Sequence, residues 1–234
     1  MRLAYSRPGG ADEFLEMAGL AGDFGFEAVQ PKGGQFTPWR DADDPPPVPN
    51  VMGVIAYGAD EGATDATLRW AARHDVEVVT WVAGWKPDEV TREQAAQILT
   101  RLGIAARAKG TPLSLHHHAG AVFESADDIA YLRDGTRPAD VKLTLDTAHA
   151  ALGGITDIAQ LIRDCAKIID VFHIKALSNG AFCPLGRGEL DFAPIFEAIA
   201  DIQFSGWLVI DDESDDMDTR SALAHARAFL AAHT

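Results

Sequence analysis

Residues 91–118, TREQAAQILTRLGIAARAKGTPLSLHHH, contain one complete structural period of this chain. Thr91 with Gln94 three positions on is a capping box, which opens a helix by satisfying two otherwise unpaired N–H groups. Ala95, Ile98, Leu99, Leu102, Ala105 and Ala106 then recur at helical spacing and give that helix one apolar face. Residues 112–118 follow as a strand, with Leu113 and Leu115 on one side and His116 and His118 on the other.

The same period repeats in both directions. Strands are predicted at 3–5, 26–30, 51–57, 76–82, 112–118, 141–147, 168–175 and 207–212. Phe14, Met17, Ala18 and Ala21 mark the first helix, and further helices fit at 64–73, 126–133, 155–167, 194–202 and 219–232. Pro194 suits the first position of its helix, where a missing N–H costs nothing. Residues 33–50 carry Asp41, Asp43, Asp44 and the run Pro45-Pro46-Pro47, and read as a Pro/Asp-rich loop replacing a helix after the second strand. Eight such units give a compact (β/α)8 TIM barrel, one domain over residues 1–234. An open doubly wound sheet is the alternative, but Pro8-Gly9-Gly10 matches its phosphate turn poorly.

Composition narrows the function. The 234 residues are 47% hydrophobic and 24% charged, as in a soluble globular chain. Twenty Lys+Arg against 35 Asp+Glu give a net charge of −15. Such a surface repels phosphate backbones and anionic lipids, which sets nucleic-acid and membrane partners aside. No apolar run reaches membrane-spanning length, and the N-terminus lacks a signal-peptide run. Cys165 and Cys183 make no disulfide framework, so a cytoplasmic location is expected. The sequence leaves a monomer or a homo-oligomer open.

In a barrel of this kind the chemistry sits at the carboxyl ends of the strands. Four successive predicted strands end in polar groups whose alternation points them inward. They are His116 and His118; Asp146; His173 and Lys175; and Asp211 with Glu213. Each alone has a plain structural reading, as a core histidine, a helix cap or a solvated acidic loop. Convergence argues otherwise, because clustered carboxylates need a cation to offset their repulsion. One divalent ion held by two or three carboxylates and an imidazole meets that need, and Mn²⁺, Co²⁺, Mg²⁺ or Zn²⁺ all suit mixed O/N ligation.

The phrases Leu143-Thr-Leu-Asp-Thr-Ala-His149, Val171-Phe-His-Ile-Lys175, Pro184-Leu-Gly-Arg-Gly-Glu-Leu-Asp-Phe192 and Gly206-Trp-Leu-Val-Ile210, in this order, resemble the xylose-isomerase-like superfamily of metal-dependent sugar isomerases and epimerases. The likeness is strong in the C-terminal half and lies only in the rhythm before it. It implies Asp146 and His173 as metal ligands. The strand-five glutamate of that family falls at His116 here. A subset resembling inosose dehydratases also reads His-x-His there, with a carboxylate shortly after, which implies Glu124 as the substitute ligand. The strand-eight glutamate aligns with Asp211, while Glu213 shares its face and could reach the metal instead. The acid that usually follows the strand-seven lysine is replaced by Ala176.

The expected activity is a metal-dependent isomerase or epimerase, or a related lyase, acting on a small sugar or polyol-derived ketone through a stabilised enediolate. Glu124 and Glu213 would shuttle the proton. Lys175 would either stabilise a developing alkoxide or simply pair with a carboxylate. The resemblance implies that His149 binds a substrate oxygen, and His118 joins it as a substrate contact. Trp85, with Trp81, would stack on the sugar or pack in the core. Arg187 would anchor a phosphate or carboxylate, or merely shape a turn. Two other classes remain: a zinc phosphodiesterase like endonuclease IV, and a sugar-binding barrel without catalysis.

Overall fold

In the computed structural model, which describes residues 1–58 and 60–233, eight parallel strands form the barrel wall. They are β1 (Arg2–Ser6), β2 (Ala28–Val29), β3 (Gly53–Tyr57), β4 (Val78–Val82), β5 (Leu113–His116), β6 (Lys142–Asp146), β7 (Ile169–Ile174) and β10 (Trp207–Asp211). The hydrogen-bonded order runs β2-β1-β10-β7-β6-β5-β4-β3. Because β2 is only two residues long, the barrel closes through the isolated bridges Val29–Val51 and Lys32–Ile55. All eight predicted strands are present.

Strand alternation separates two cores. Leu143, Leu145, Phe172, Ile174, Leu208 and Ile210 lie in the outer layer under the helices. Ala4, Ala28, Met52, Val78, Val171, Trp207 and Val209 form a small apolar plug inside the barrel. One inward step further along these strands the side chains turn polar: Gln30 after Ala28, Thr80 after Val78, His173 after Val171 and Asp211 after Val209. The apolar plug therefore underlies a buried polar floor.

The helices are α1 (Ala11–Ala21), α2 (Gly33–Ala42), α3 (Glu61–Arg73), α4 (Arg92–Lys109), α5 (Ala126–Gly135), α6 (Thr147–Leu152), α7 (Ile158–Cys165), α8 (Ala193–Asp201) and α9 (Thr219–Ala231). The capping box of α4 forms as read: Thr91 Oγ1 accepts from the Gln94 N–H, and Gln94 Oε1 accepts from the Thr91 N–H. Pro194 takes the second position of α8 rather than the first. Among the described residues, no helix is long and apolar enough to cross a membrane.

Three elements depart from expectation. The stretch after β2 is a helix, α2, with Pro38 inside it. Gln35 Oε1 accepts from the Lys32 N–H at its start, while Phe36 and Trp39 pack on Trp70 and Phe14. Tertiary burial of those rings outweighs the poor propensity of two glycines and a proline. Asp43, in a left-handed conformation, ends α2 ahead of the proline run. A second surprise is α6, which starts directly at the end of β6. The third is a hairpin of β8 (Ala176–Ser178) and β9 (Ala181–Cys183) that follows β7.

Candidate active site

The strand ends surround a cavity of about 430 Å³ at the carboxyl mouth of the barrel, lined by His116, His118, His149, His173, Lys175, Asp211 and Glu213. Asp146 lies beneath, fully buried, and does two jobs. Its Oδ1 accepts the His149 N–H at 2.9 Å and so caps α6. Its Oδ2 faces inward, 3.4 Å from His116 Nε2, 3.4 Å from Lys175 Nζ and 3.9 Å from His173 Nδ1. The helix-cap and ligand readings of Asp146 are therefore compatible, since each uses a different oxygen.

His173 Nδ1 also lies 3.6 Å from Asp211 Oδ2 and has no hydrogen-bond partner among the described residues. Its other nitrogen, Nε2, is bonded to Gln30 Oε1 at 2.9 Å. Lys175 Nζ sits 2.6 Å from Asp211 Oδ2 and 3.4 Å from Glu213 Oε2, over the Phe182 ring of the hairpin. Lys32 Nζ lies 2.6 Å from Asp211 Oδ1 and pairs with Glu213 as well. Asp211 is thus gripped from both sides by ammonium groups.

Burial and charge set the protonation states. Burial pushes His173 down to about 3 and His149 down to about 2, so both rings are neutral and able to ligate a metal. Burial alone would raise Asp146 and Asp211. Lys175 with His116 and His149 at Asp146, and Lys175 with Lys32 and His173 at Asp211, together outweigh it and hold the two carboxyls well below their usual range. Burial alone would lower the lysines, but Asp146, Asp211 and Glu213 together hold Lys175 above its usual value, and Asp211 with Tyr57 and Glu213 does the same for Lys32. The floor is a charged network of three carboxylates and two ammoniums.

Two groups of donor atoms among the described residues converge closely enough to hold a metal ion: Asp146, His173 and Asp211, and His116, Asp146 and His149. The carboxylate repulsion that pointed to a cation in the sequence is partly met by Lys32 and Lys175. What favours a metal in the structure is the donor set itself. An unpartnered, neutral Nδ1 stands between two ionised carboxylates at 3.6 and 3.9 Å. These residues fit a divalent ion.

Other expected site residues lie elsewhere. Glu124 does not fold over the mouth. Its neighbours Val122 and Phe123 are buried, the Val122 N–H is bonded to the Trp85 carbonyl, and Ser125 caps α5, so the segment is held down outside the cavity. There Glu124 packs on Gly153, where a Cβ would come within 2.5 Å of its carbonyl oxygen. Trp85 is buried in the core, edge-on to Trp81 at 5.0 Å. Arg187 is exposed in a turn, its N–H bonded to the Pro184 carbonyl. None of the three lines the cavity. His118 does, with its ring tilted 35° against that of His149 and the centroids 3.9 Å apart. Gln30, Lys32, Tyr57 and Phe182 are the contributors missed from sequence. Gln30 and Lys32 share one face of the second strand's extension, a period-two signal that a reading centred on acids and histidines passes over.

A parallel (β/α)8 barrel whose strand-end imidazoles and carboxylates face one cavity defines a class in which function resides at that mouth. Within it, residues 63–233 match the family model described as xylose isomerase-like TIM barrel, and the chain belongs to that family. An inosose dehydratase of Bacillus anthracis (strain CDC 684 / NRRL 3495) is 31% identical over 141 residues, covering 53% of this chain and 47% of that protein. The inosose dehydratase of Geobacillus kaustophilus (strain HTA426) is 30% identical over 162 residues, covering 56% and 52%. The chain thus spans about half the length of the curated relatives it matches. Among solved structures, the fold is similar to the IOLI protein with a bound zinc atom, at TM-score 0.77, 14% identity and coverage of 99% and 97%. L-ribulose 3-epimerase gives 0.78, 17%, and coverage of 99% and 94%.

Proposed function

We propose that this protein is a divalent-metal-dependent enzyme that removes a proton next to the carbonyl of a small, uncharged polyhydroxy ketone, with loss of water as the favoured outcome. One observation carries the reading: Asp146, His173 and Asp211 present convergent ligand atoms at the floor of the strand-end cavity. Asp146, His173 and Asp211 would hold the ion, with His116 in reach of Asp146. When bound, the metal would polarise the ketone and acidify the adjacent C–H.

The chain's own groups supply the rest. Glu213 is a quarter exposed at the mouth, and is the carboxylate placed to take the C–H proton while Asp146 and Asp211 ligate. Lys175 Nζ, beside both acids, stabilises the negative charge growing on the carbonyl oxygen. His118 and His149 form a wall of paired rings able to hydrogen-bond substrate hydroxyls. In elimination, the proton taken by Glu213 is returned to a β-hydroxyl, which departs as water and leaves a double bond.

Epimerisation calls for a second acid–base group on the opposite face. Glu124, the expected partner, lies outside the cavity, and this favours elimination. The inosose dehydratase relatives support the same choice. Lys32 is taken up by Asp211 and Glu213, and Arg187 does not line the cavity, which supports an uncharged substrate over a phosphorylated one. The net charge of −15 likewise supports a small sugar-like ligand over a phosphodiester.

The test is a panel of inososes and ketoses with added Mn²⁺ or Co²⁺ in deuterated buffer, followed by NMR. Dehydration of an uncharged ketone, abolished in Glu213→Gln with metal content retained, is the expected result. Deuterium entering an epimerised product without dehydration would replace elimination with epimerisation. No exchange and no turnover on any member would overturn the assignment.

A further inference from the structure

Inside the barrel, a continuous line of polar side chains descends from the candidate metal site toward the opposite end. His173 Nε2 meets Gln30 Oε1 at 2.9 Å, and Gln30 Nε2 donates to Thr80 Oγ1 at 3.0 Å. Thr80 Oγ1 and Thr144 Oγ1 are 3.2 Å apart, and Thr144 Oγ1 and Ser114 Oγ are 2.8 Å apart. Ser114 Oγ donates to Asp170 Oδ1 at 2.6 Å. Gln30, Thr80, Thr144, Ser114 and His173 are all completely buried. With protein neighbours this close on every link, each hydroxyl has one proton to place and few options for it.

We infer that Gln30 is a positioning residue: its carbonyl oxygen accepts the Nε2 proton of His173 and so keeps the Nδ1 lone pair facing Asp146 and Asp211. The orientation of the Gln30 amide is in turn set from below. Above about pH 7 Asp170 is ionised and only accepts, so Ser114 must give its proton to it. Ser114 then accepts from Thr144, Thr144 accepts from Thr80, and Thr80 accepts from the Gln30 NH₂. That leaves the Gln30 carbonyl oxygen, an acceptor, against His173 Nε2. Turning the amide over would reverse every hydroxyl and set a Ser114 lone pair against the Asp170 carboxylate. The chain has one sense, and that sense selects one histidine tautomer.

This bears directly on ligation, because a neutral imidazole coordinates through the nitrogen without a proton, and the bond made by the other nitrogen decides which one that is. The inference takes from the proposed function only the idea that His173 is a ligand, and its first readout needs no metal. Long-range ¹H–¹⁵N spectra of histidine-labelled, metal-free protein, recorded at about pH 8.5 where Asp170 is ionised, report the tautomer, with the His173 signals identified by their loss in His173→Ala. The expected state carries hydrogen on Nε2. Gln30→Met, which fills the space without an acceptor, should show a mixture of tautomers and bind Zn²⁺ about 10–100-fold more weakly. Gln30→Glu, which keeps an acceptor, should restore both, and Ser114→Ala, which cuts the chain, should loosen the tautomer preference without touching His173. A proton on Nδ1 in the metal-free wild type would overturn the inference, as would Gln30→Met with tautomer and Zn²⁺ affinity unchanged. A wild type with the expected tautomer that binds no Zn²⁺ would leave this inference standing and retire the metal reading.

Discussion

Replacing Lys32 with methionine keeps the aliphatic stem and removes one ammonium from the site floor. Lys32 Nζ lies 2.6 Å from Asp211, whose side chain is 2% exposed, and also pairs with Glu213. Breaking a buried pair by deleting one partner costs about 3–5 kcal/mol. Lys175 still holds the other Asp211 oxygen at 2.6 Å, and Glu213 can turn to water, so about 2 kcal/mol is the figure for this site. For a chain of this size that lowers the melting temperature by about 4–8 °C. The same change leaves three carboxylates facing one ammonium, which favours a divalent ion. Coulomb's law gives on the order of 7 kcal/mol of repulsion between an ammonium and a divalent ion about 5 Å apart at an effective dielectric of about 20. Lys32 can swing aside as the ion enters, so a smaller gain of at least about tenfold in Mn²⁺ affinity, or roughly 1.4 kcal/mol, is expected. Thermal unfolding with and without Mn²⁺, together with a binding isotherm, reads both effects. The variant should melt lower without metal and recover more than the wild type when Mn²⁺ is added. Unchanged stability and unchanged Mn²⁺ affinity would refute the electrostatic account of the floor.

Asp146→Asn keeps an oxygen to cap α6 and should cost little stability, whereas Asp146→Ala also loses the cap, about 1 kcal/mol; both should lower metal affinity, and urea titration with metal analysis separates the two effects. Glu124→Gln should leave metal content and turnover at wild-type levels, since Glu124 packs on Gly153 outside the cavity; loss of either would return it to the site. Asp170 is pushed up to about 7 by burial, so its native form binds a proton more tightly than the unfolded chain, whose carboxyl titrates near 4. Its cost is therefore absent below pH 4, grows between pH 4 and 7, and is complete above 7. Asp170→Asn should accordingly stabilise the fold by about 2 kcal/mol at pH 8 and by nothing measurable at pH 4, as read by urea unfolding.

The barrel was legible in the sequence because each unit states its own period: alternation in the strands, and a capping box with one apolar face in a helix such as α4. The strand-end acids and imidazoles followed from the same alternation, since inward-facing polar groups on a strand of leucines and phenylalanines stand out. Asp146, His173, Lys175, Asp211 and Glu213 converge as that pattern requires. What was hidden depends on contacts between distant segments. α2 contradicts its own glycines and proline because Phe36 and Trp39 find rings on other helices. Glu124 has the right chemistry and spacing, but buried Val122 and Phe123 decide where its segment lies. Lys32 sits among glycines and a proline, and its meaning emerges only when β10 brings two carboxylates to it. Charge balance is a property of the assembled mouth, and no local window carries it.

The central claim is that this mouth is a metal site built on His173. It is tested most directly by elemental analysis of the purified protein after Mn²⁺ or Zn²⁺ loading and removal of excess metal, run beside His173→Ala. One divalent ion per chain in the wild type, lost in a His173→Ala variant that remains folded by circular dichroism, is the result this account predicts. A wild type that retains no ion, or a folded His173→Ala variant that retains a full equivalent, would contradict it.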